Sequence, residues 1–251
     1  MTIVVKTDHK FATNSGDCNI FLESYNDADD YQLRELQNPN ASGASADFFT
    51  DVPFIREVID RFELEEGETI NWLDLGCAGG RLILDVSEQP ETKHVIGLDG
   101  SVGVYNQDSW KSGENTEVLR NADVSKPFSV EDEDGNPIVF DVITSWELIE
   151  HLHETDLEQY FNNVCKHLAP NGVFIGSIAN FPDYRDENGW NYDHPNFNPN
   201  SKIYQLHNIM WPFDKWRTVM EKWFNIHTFN LDNYFRNMNT QLTHYFMVTK
   251  K

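Results

Sequence analysis

The stretch NWLDLGCAGGRL, residues 71–82, runs from an apolar strand pattern directly into a cluster of small residues. Trp72, Leu73 and Leu75 are typical of a buried strand, and apolar residues resume after Arg81 as a helix pattern. Small side chains at 76–80 allow the chain to turn sharply and allow a ligand to approach the backbone closely. The stretch therefore predicts a strand–turn–helix unit with a ligand beside its turn.

Strand and helix patterns alternate along the chain on both sides of this unit. The strand patterns INWLDLG, HVIGLDG, TEVLRNAD, IVFDVITSW and NGVFIGSIAN are mostly separated by helix patterns such as RLILDVSEQ, SVGVYNQDSW and TDLEQYFNNVCKHL. This alternation predicts an α/β fold with a doubly wound, mostly parallel sheet covered on both faces. Near the end, NIHTFNLDNYF and LTHYFMVTK follow one another without a helix, which predicts an antiparallel hairpin.

The same patterns divide the chain into regions. Residues 1–50 show little periodicity and predict an irregular N-terminal arm or cap. In TDVPFIREVIDRFEL, the residues Ile55, Val58, Ile59 and Phe62 have the spacing of one helix face, so we expect the main domain to span 51–251. The long segment 180–211 follows the fifth strand and is rich in aromatic and asparagine residues, which predicts an insertion that covers a substrate.

Composition restricts the partners and the compartment. A formal net charge of −22 argues against a phosphate-binding surface, so we expect no nucleic-acid partner. No apolar run approaches the ~20 residues of a membrane span, and MTIVVKTDHK is too short and too polar for a signal peptide. The three scattered cysteines, Cys18, Cys77 and Cys165, indicate free thiols in a reducing cytoplasm.

Candidate ligand-binding residues follow from the sheet, because doubly wound sheets bind ligands beyond the carboxyl ends of their strands. These residues are Asp74, Gly76, Cys77, Ala78, Gly79, Gly80 and Arg81 at the first strand, Asp99, Gly100 and Ser101 at the second, Ala122 and Asp123 at the third, and Ser145 and Trp146 at the fourth. An acid in the position of Asp99 suits a ribose diol. The dinucleotide pattern G-x-G-x-x-G is not met, which argues against NAD and FAD. We expect Cys77 to serve as a small residue in a tight turn.

Together these residues resemble the class I S-adenosylmethionine-dependent methyltransferases, in the ubiquinone-pathway-like branch that acts on small molecules. WLDLGCAGGRLI is similar to their motif D-x-G-x-G-x-G, with Ala78 at the middle glycine. GLDGS, NADV, FDVITSWELIEHL and LAPNGVFIGSIAN resemble the motifs of the next four strands. The resemblance implies a Rossmann-like, seven-stranded sheet whose last strand is antiparallel. It also implies S-adenosylmethionine (AdoMet) as methyl donor, S-adenosylhomocysteine (AdoHcy) as product, Asp74 near the ammonium group and Asp123 near the adenine amino group.

The segment SWELIEHLH, residues 145–153, carries the acids and imidazoles nearest to this region. In a helix, Glu147, Glu150 and His151 would share one face, where they could hold Mg²⁺. The pattern E-x-x-E-H is similar to the metal-binding segment of ubiquinone-pathway O-methyltransferases and small-RNA 2′-O-methyltransferases, but it also occurs in class I enzymes without a metal. We expect Glu150 and His151 to position the site without a bound metal. A metal site, and a general-base role for His151, remain alternatives.

The insertion adds candidates for contact with the acceptor: Trp190, Tyr192, His194, His207 and Trp211. We expect His151, Glu150 and His194 to be catalytic in a methyl transfer to an oxygen or nitrogen atom of a small molecule. Two alternatives stay open: a metal-assisted RNA ribose 2′-O-methyltransferase, and a non-catalytic AdoMet-binding module. The sequence predicts neither the identity of the acceptor nor the oligomeric state.

Overall fold

Helices and strands alternate in the computed structural model, which describes residues 2–12, 52–101, 117–186, 192, 195–228 and 243–251. The strands are β1 (Val4–Lys6), β2 (Ile70–Leu75), β3 (Thr92–Asp99), β4 (Leu119–Asn121), β5 (Ser129–Glu131), β6 (Phe140–Trp146), β7 (Leu168–Ala179), β8 (Tyr184–Asp186), β9 (Ile203–Gln205), β10 (Phe224–His227) and β11 (Thr243–Lys250). The helices are α1 (Val52–Asp60), α2 (Arg81–Ser87), α3 (Leu157–His167) and α4 (Phe213–Met220), with 3₁₀ turns at Ile149–His151 and Glu154–Asp156. Most of the predicted N-terminal arm, the helix predicted from SVGVYNQDSW, and Cys18, Trp190 and His194 lie outside the described residues.

One sheet organises the domain, with the strand order β10-β11-β7-β6-β2-β3-β4. The five strands from β7 to β4 pair in parallel. The last strand, β11, is antiparallel to both of its neighbours, β7 and β10. The predicted doubly wound sheet, its antiparallel last strand and the final hairpin are therefore confirmed.

Both faces of this sheet are covered by helices. Alternate residues of a strand point to opposite faces, so Leu73 joins a core that includes Phe161 of α3, whereas Trp72 joins a second core with Ile55 of α1 and Val86 of α2. Burial on both faces explains why the strands read as nearly continuous apolar runs. None of the helices in the described residues is long and apolar enough to cross a membrane.

Two short strand pairs lie outside the main sheet, in segments where regular structure was not predicted. Strand β1 pairs antiparallel with β5, and Ile3 beside it is buried in the first core. Within the insertion, β8 pairs antiparallel with β9. Strands of three residues are too short to produce a period-two pattern, so the sequence did not indicate them.

Candidate active site

The turn between β2 and α2 is built on left-handed backbone conformations. Gly76, Ala78 and Gly80 have φ angles of 75°, 47° and 84°. A Cβ atom on Gly76 would lie 2.8 Å from Leu148, and one on Gly80 would lie 2.5 Å from Leu119. The backbone conformation thus favours glycine at both positions, and a Cβ atom there would also displace a leucine side chain, whereas Ala78 adopts the left-handed region at a conformational cost.

Asp99 connects this turn to the end of β3. Its Oδ2 accepts a hydrogen bond from the Ala78 N–H (2.9 Å), and its Oδ1 accepts one from the Ser101 N–H (2.7 Å). A carboxylate has about four acceptor positions on its two oxygens. The arrangement therefore fixes the side chain beside the turn and still suits the two hydroxyl groups of a ribose.

Asp123 follows β4 at the same edge of the sheet. Its Oδ1 accepts hydrogen bonds from the Ser125 N–H (3.0 Å) and the Ser125 Oγ–H (2.6 Å). The Asp123 N–H donates to the carbonyl oxygen of His9 (2.8 Å). These bonds hold the carboxyl group and leave its Oδ2 as the atom suited to an amino donor such as that of adenine.

Asp74 lies beneath the turn, in a buried chain of hydrogen bonds. The Trp72 Nε1–H donates to Thr144 Oγ1 (3.0 Å), and the Thr144 hydroxyl donates to Asp74 Oδ1 (2.7 Å). Only 3% of Asp74 is exposed. This chain links β2 to β6 and fixes the carboxyl group of Asp74 at the carboxyl end of β2.

Cys77 and Trp146 have packing neighbours that account for their positions. Cys77 is buried, and a Cβ atom on Gly97 would lie 2.8 Å from its Sγ, which agrees with a small residue in a tight turn. The Trp146 ring contacts Phe54 edge to face, with ring centroids 5.4 Å apart. The remaining predicted cofactor residues are Gly79, in the turn; Arg81, the first residue of α2; Gly100, packed against Ala12; and Ala122 and Ser145, both fully buried.

The helix that would put Glu147, Glu150 and His151 on one face does not form. Glu147 has a φ angle of 49°, and only the three residues Ile149–His151 form a 3₁₀ turn. The cause is tertiary: the Glu147 N–H donates to the Ser177 carbonyl oxygen (3.2 Å), and the Ser177 hydroxyl donates to Glu147 Oε1 (2.7 Å). Burial raises the pKa of Glu147, although the bond from Ser177 opposes the shift.

Glu150 is completely buried behind this turn. Its Oε1 accepts the Ala179 N–H (2.6 Å), whereas its Oε2 has no hydrogen-bond partner among the described residues. Burial, reinforced by the charge of Glu147, raises the pKa of Glu150 to about 8, and His151 opposes the shift. Burial therefore favours the protonated form of the Glu150 carboxyl group.

The insertion brings His207 to the same place. Glu150, His151 and His207, which we call the Glu–His cluster, each offer a ligand atom within 4.8 Å of the others. The rings of His151 and His207 meet edge to face, with centroids 4.7 Å apart. His207 Nδ1 forms a hydrogen bond with the Phe181 carbonyl oxygen, so its Nε2 is the ring nitrogen suited to the cluster.

Backbone bonds fasten the insertion to the 3₁₀ turn. The Ile209 N–H donates to the Glu150 carbonyl oxygen (3.0 Å), and Asn208 Nδ2 donates to the His151 carbonyl oxygen (2.9 Å). The sequence named His207 among the possible acceptor contacts, but no spacing pattern connected it with Glu150 and His151. The cluster forms because the insertion returns to the carboxyl edge of β6.

The Glu–His cluster suits two kinds of chemistry. One carboxylate and two imidazoles are donors that first-row transition metals accept more readily than Mg²⁺ does. The same groups can instead share and transfer a proton, because the two imidazoles lie beside a carboxyl group whose raised pKa favours its protonated form. Both uses place the chemistry beyond the carboxyl end of β6, on the sheet edge that also carries Asp99.

Comparisons with known proteins agree with the fold. A family model described as a methyltransferase domain matches residues 49–240. A TehB-like SAM-dependent methyltransferase from Corynebacterium glutamicum is 17% identical, with a TM-score of 0.55 over 89% of this chain and 97% of that chain. A SAM-dependent methyltransferase from Clostridium acetobutylicum is 16% identical, with a TM-score of 0.55 over 88% and 98%.

A third similar structure is the glycopeptide N-methyltransferase MtfA complexed with AdoHcy. It is 16% identical, with a TM-score of 0.50 over 91% of this chain and 100% of that chain. The comparison with curated protein sequences finds no match. At these identities the structural likenesses establish the fold, and the family model establishes the family.

Proposed function

The chain belongs to the class I S-adenosylmethionine-dependent methyltransferases, and from this premise we propose that it transfers the methyl group of AdoMet to an oxygen or nitrogen atom of a small molecule. AdoMet is the donor and AdoHcy the product. Membership of the ubiquinone-pathway-like branch is part of the proposal, as is the reducing cytoplasm expected for the free thiols of Cys77 and Cys165.

The observation that carries the proposal is the position of Asp99. Its carboxylate is held by the Ala78 and Ser101 amides, directly beside a turn whose backbone is left-handed at Gly76, Ala78 and Gly80. This geometry fits an adenosine whose ribose lies against Asp99 and whose methionine end passes over the turn. The MtfA structure with AdoHcy supports the choice of cofactor for this fold.

The Glu–His cluster is proposed as the acceptor end of the site. Methyl transfer requires the attacking atom, the methyl carbon and the sulfur to be aligned, and an alcohol or ammonium acceptor must also lose a proton. His151 and His207 are suited to accept that proton, with Glu150 positioning them from behind. His194, which lies outside the described residues, keeps its predicted role as a further contact with the acceptor.

The insertion is proposed to cover the acceptor. It is fastened to the Glu–His cluster through Asn208 and Ile209, at the sheet edge where parallel sheets bind ligands. Its own strand pair, β8 and β9, gives it internal support. A covered site excludes water, which would otherwise compete with the acceptor for the polar groups.

A metal-assisted reaction is the second candidate. It is favoured by one observation, the fully buried Oε2 of Glu150 that lacks a hydrogen-bond partner in the described part of the chain. A divalent cation bound by the Glu–His cluster would satisfy that oxygen and would act as a Lewis acid toward a hydroxyl acceptor. An RNA ribose acceptor is disfavoured by the net charge of −22.

The test is a turnover assay with pooled metabolites. The protein is incubated with AdoMet and fractions of a metabolite extract, and AdoHcy formation is followed by mass spectrometry. We expect one or more small-molecule fractions to give AdoHcy above the background without an acceptor. Tight AdoHcy binding without turnover on any fraction would favour the non-catalytic binding module, and absence of AdoHcy binding would contradict the proposed cofactor.

A further inference from the structure

Asn163 is a polar residue on the buried face of α3, where only 2% of it is exposed. Its Nδ2 donates to the Val124 carbonyl oxygen (2.9 Å) and to the Lys126 carbonyl oxygen (2.7 Å). Its Oδ1 accepts a hydrogen bond from Gln159 Nε2 (2.9 Å), one turn earlier in the helix. Because backbone carbonyls only accept hydrogen bonds, these two contacts fix which end of the Asn163 amide carries the donors. Asn163 thus uses its amide group to hold one short segment of the chain beyond β4.

That segment is the turn of residues 123–126, which we call the Asp123 turn. The Lys126 N–H donates to the Asp123 carbonyl oxygen (3.0 Å) and closes the turn. Within the turn, Asp123 Oδ1 accepts hydrogen bonds from the Ser125 N–H (3.0 Å) and the Ser125 Oγ–H (2.6 Å). The two carbonyls that Asn163 holds belong to the residues on either side of Ser125. Asn163 therefore fixes the peptide groups around Ser125, and Ser125 in turn fixes the direction of the Asp123 carboxyl group.

The contact satisfies polar groups on both sides. Val124 and Lys126 lie beyond the end of β4 at Asn121, where the pairing of β4 with β3 has ended. A buried carbonyl without a donor is costly, and so is a buried amide side chain without acceptors. An apolar residue at 163 would supply no donor to the turn. The need for donors at these two carbonyls is the physical reason for an asparagine on this face of α3.

Other contacts hold the flanks of the turn to the same helix. Lys166 Nζ donates to the Phe128 carbonyl oxygen (2.7 Å), and the Phe128 ring stacks on His167 with ring centroids 4.4 Å apart. The side chains of Val124 and Phe128 are buried in the first core. These contacts keep the segment against α3 without the asparagine. Its substitution should therefore alter the direction of the Asp123 turn while the domain stays folded.

We propose that Asn163 is a positioning residue for the recognition of adenine, which holds the Asp123 turn so that Asp123 Oδ2 meets the 6-amino group of the base. The inference rests on the proposed function, which places the adenine amino group at Asp123. Asn163 acts through the turn and not by contact with the cofactor. Selectivity separates this role from general stabilisation, because a misdirected Asp123 weakens ligands that carry the 6-amino group and spares ligands that lack it.

The experiment uses two probes, AdoHcy and its analogue with an unsubstituted purine, which lacks the 6-amino group. Calorimetry gives the ratio of the two affinities for each variant, and circular dichroism checks that the variant is folded. We expect the wild type to prefer AdoHcy about tenfold, the effect of one hydrogen bond to a charged group. In Asn163→Ala the preference should fall below about threefold through weaker AdoHcy binding, while the affinity for the purine analogue stays within about twofold of the wild-type value.

Two further variants complete the comparison. Asn162→Ala is the matched control, because Asn162 is an exposed asparagine of α3 whose Oδ1 accepts the Trp223 Nε1–H (3.1 Å), and it should keep the wild-type preference. Asn163→Ser is a milder change, since its hydroxyl can still donate to one of the two carbonyls. Its preference should lie between those of the wild type and Asn163→Ala. If Asn163→Ala does not fold, the preference of Asn163→Ser decides the question.

The proposal would be overturned by a folded variant at Asn163 that keeps the wild-type preference. Equal loss of affinity for both probes would also overturn it, because that result indicates general stabilisation alone. Failure of the proposed function gives different results in the wild type. Equal binding of the two probes contradicts the adenine role of Asp123, and binding of neither probe contradicts the cofactor assignment. Either of these results removes the premise on which the inference rests.

Discussion

The backbone N–H of Ala78 donates to Asp99 Oδ2 across 2.9 Å, so that the turn after β2 and the end of β3 form one unit. Neither element alone forms the proposed cofactor site. The turn has a left-handed backbone whose Gly76 and Cys77 amides donate to the Leu98 carbonyl oxygen. Asp99 orders the turn through the Ala78 amide, and a carboxylate at this position suits the hydroxyl groups of a ribose. Changes at either residue should therefore affect both cofactor binding and local stability.

Removal of the Asp99 carboxylate should weaken AdoHcy binding. We expect Asp99→Ala to lower the binding free energy by roughly 1–3 kcal/mol, because charge-assisted hydrogen bonds in a partly buried site are lost. Isothermal titration calorimetry measures the change. The matched control is Asp141→Ala, since Asp141 Oδ2 accepts the Asn71 N–H (2.8 Å) at the opposite edge of the sheet. Equal AdoHcy affinity in Asp99→Ala and the wild type would remove the basis for the ribose assignment.

Ala78→Gly should stabilise the protein. An alanine at φ 47° costs about 1–2 kcal/mol of folding free energy, which glycine would relieve. Glycine also has greater chain entropy in the unfolded state, which destabilises the folded protein by about 0.5–1 kcal/mol. We expect the free energy of unfolding to rise by about 0.5–1 kcal/mol, with AdoHcy still bound. Urea unfolding measures it, and Ala169→Gly is the control because that backbone is not left-handed. Equal destabilisation by the two substitutions would contradict the strain at Ala78.

Glu150→Gln should change how stability depends on pH. Burial raises the pKa of Glu150 in the folded state from 4.5 to about 8. The contribution of the protonated carboxyl group to the free energy of unfolding is therefore complete below pH 4.5 and is lost as the pH rises to about 8. The wild type should lose stability relative to Glu150→Gln across this window, by up to about 1.4 kcal/mol per pH unit. Urea unfolding at several pH values measures the difference. The control is Glu158→Gln, at an exposed position in α3, and a constant difference between wild type and Glu150→Gln from pH 5 to 8 would contradict the burial argument.

The sheet, and the placing of Asp99 beside the glycine turn, could be predicted because their signals are local. Buried parallel strands leave apolar runs, and the residues that end them reach the ligand-binding edge whatever the details of packing. Asp99 and the glycine turn were found in this way. These inferences needed only the order of the strands along the chain.

The Glu–His cluster could not be predicted in the same way, because it depends on contacts between distant segments. Glu147 adopts its left-handed conformation through bonds to Ser177, and a helical spacing of acids gives no sign of that interruption. His207 reaches Glu150 only because the insertion folds back over the 3₁₀ turn. The hydrogen bond from the Ala12 N–H to the Gly100 carbonyl oxygen is likewise a backbone contact without a side-chain pattern.

A bound metal is not expected in the purified protein. Burial raises the pKa of Glu150 to about 8 and so favours its protonated form, with which a cation would have to compete. We expect elemental analysis after chelation to find no stoichiometric divalent metal, and AdoHcy formation on an active metabolite fraction to persist in EDTA. The metal-assisted reaction would be established instead if the wild type were active only with added Mn²⁺, Zn²⁺ or Mg²⁺ and if these ions did not activate Glu150→Gln.

His207→Ala should separate the acceptor from the cofactor. His207 belongs to the Glu–His cluster, whereas the described hydrogen bonds of the Asp99 and Asp123 carboxyl groups are made with Ala78, Ser101 and Ser125. Its loss should therefore lower turnover or raise the KM of the acceptor. The affinity for AdoHcy should stay within about twofold of the wild-type value, because no hydrogen bond to the cofactor is expected to be lost and the loss of one would have a larger effect. Steady-state kinetics on an active metabolite fraction, with calorimetry for AdoHcy, make the comparison.

His153→Ala is the matched control, since His153 is exposed beside the same turn. Asn208→Ala tests the attachment separately, because it removes the bond to the His151 carbonyl while keeping every imidazole. Unchanged turnover in both His207→Ala and Asn208→Ala would place the acceptor away from the insertion.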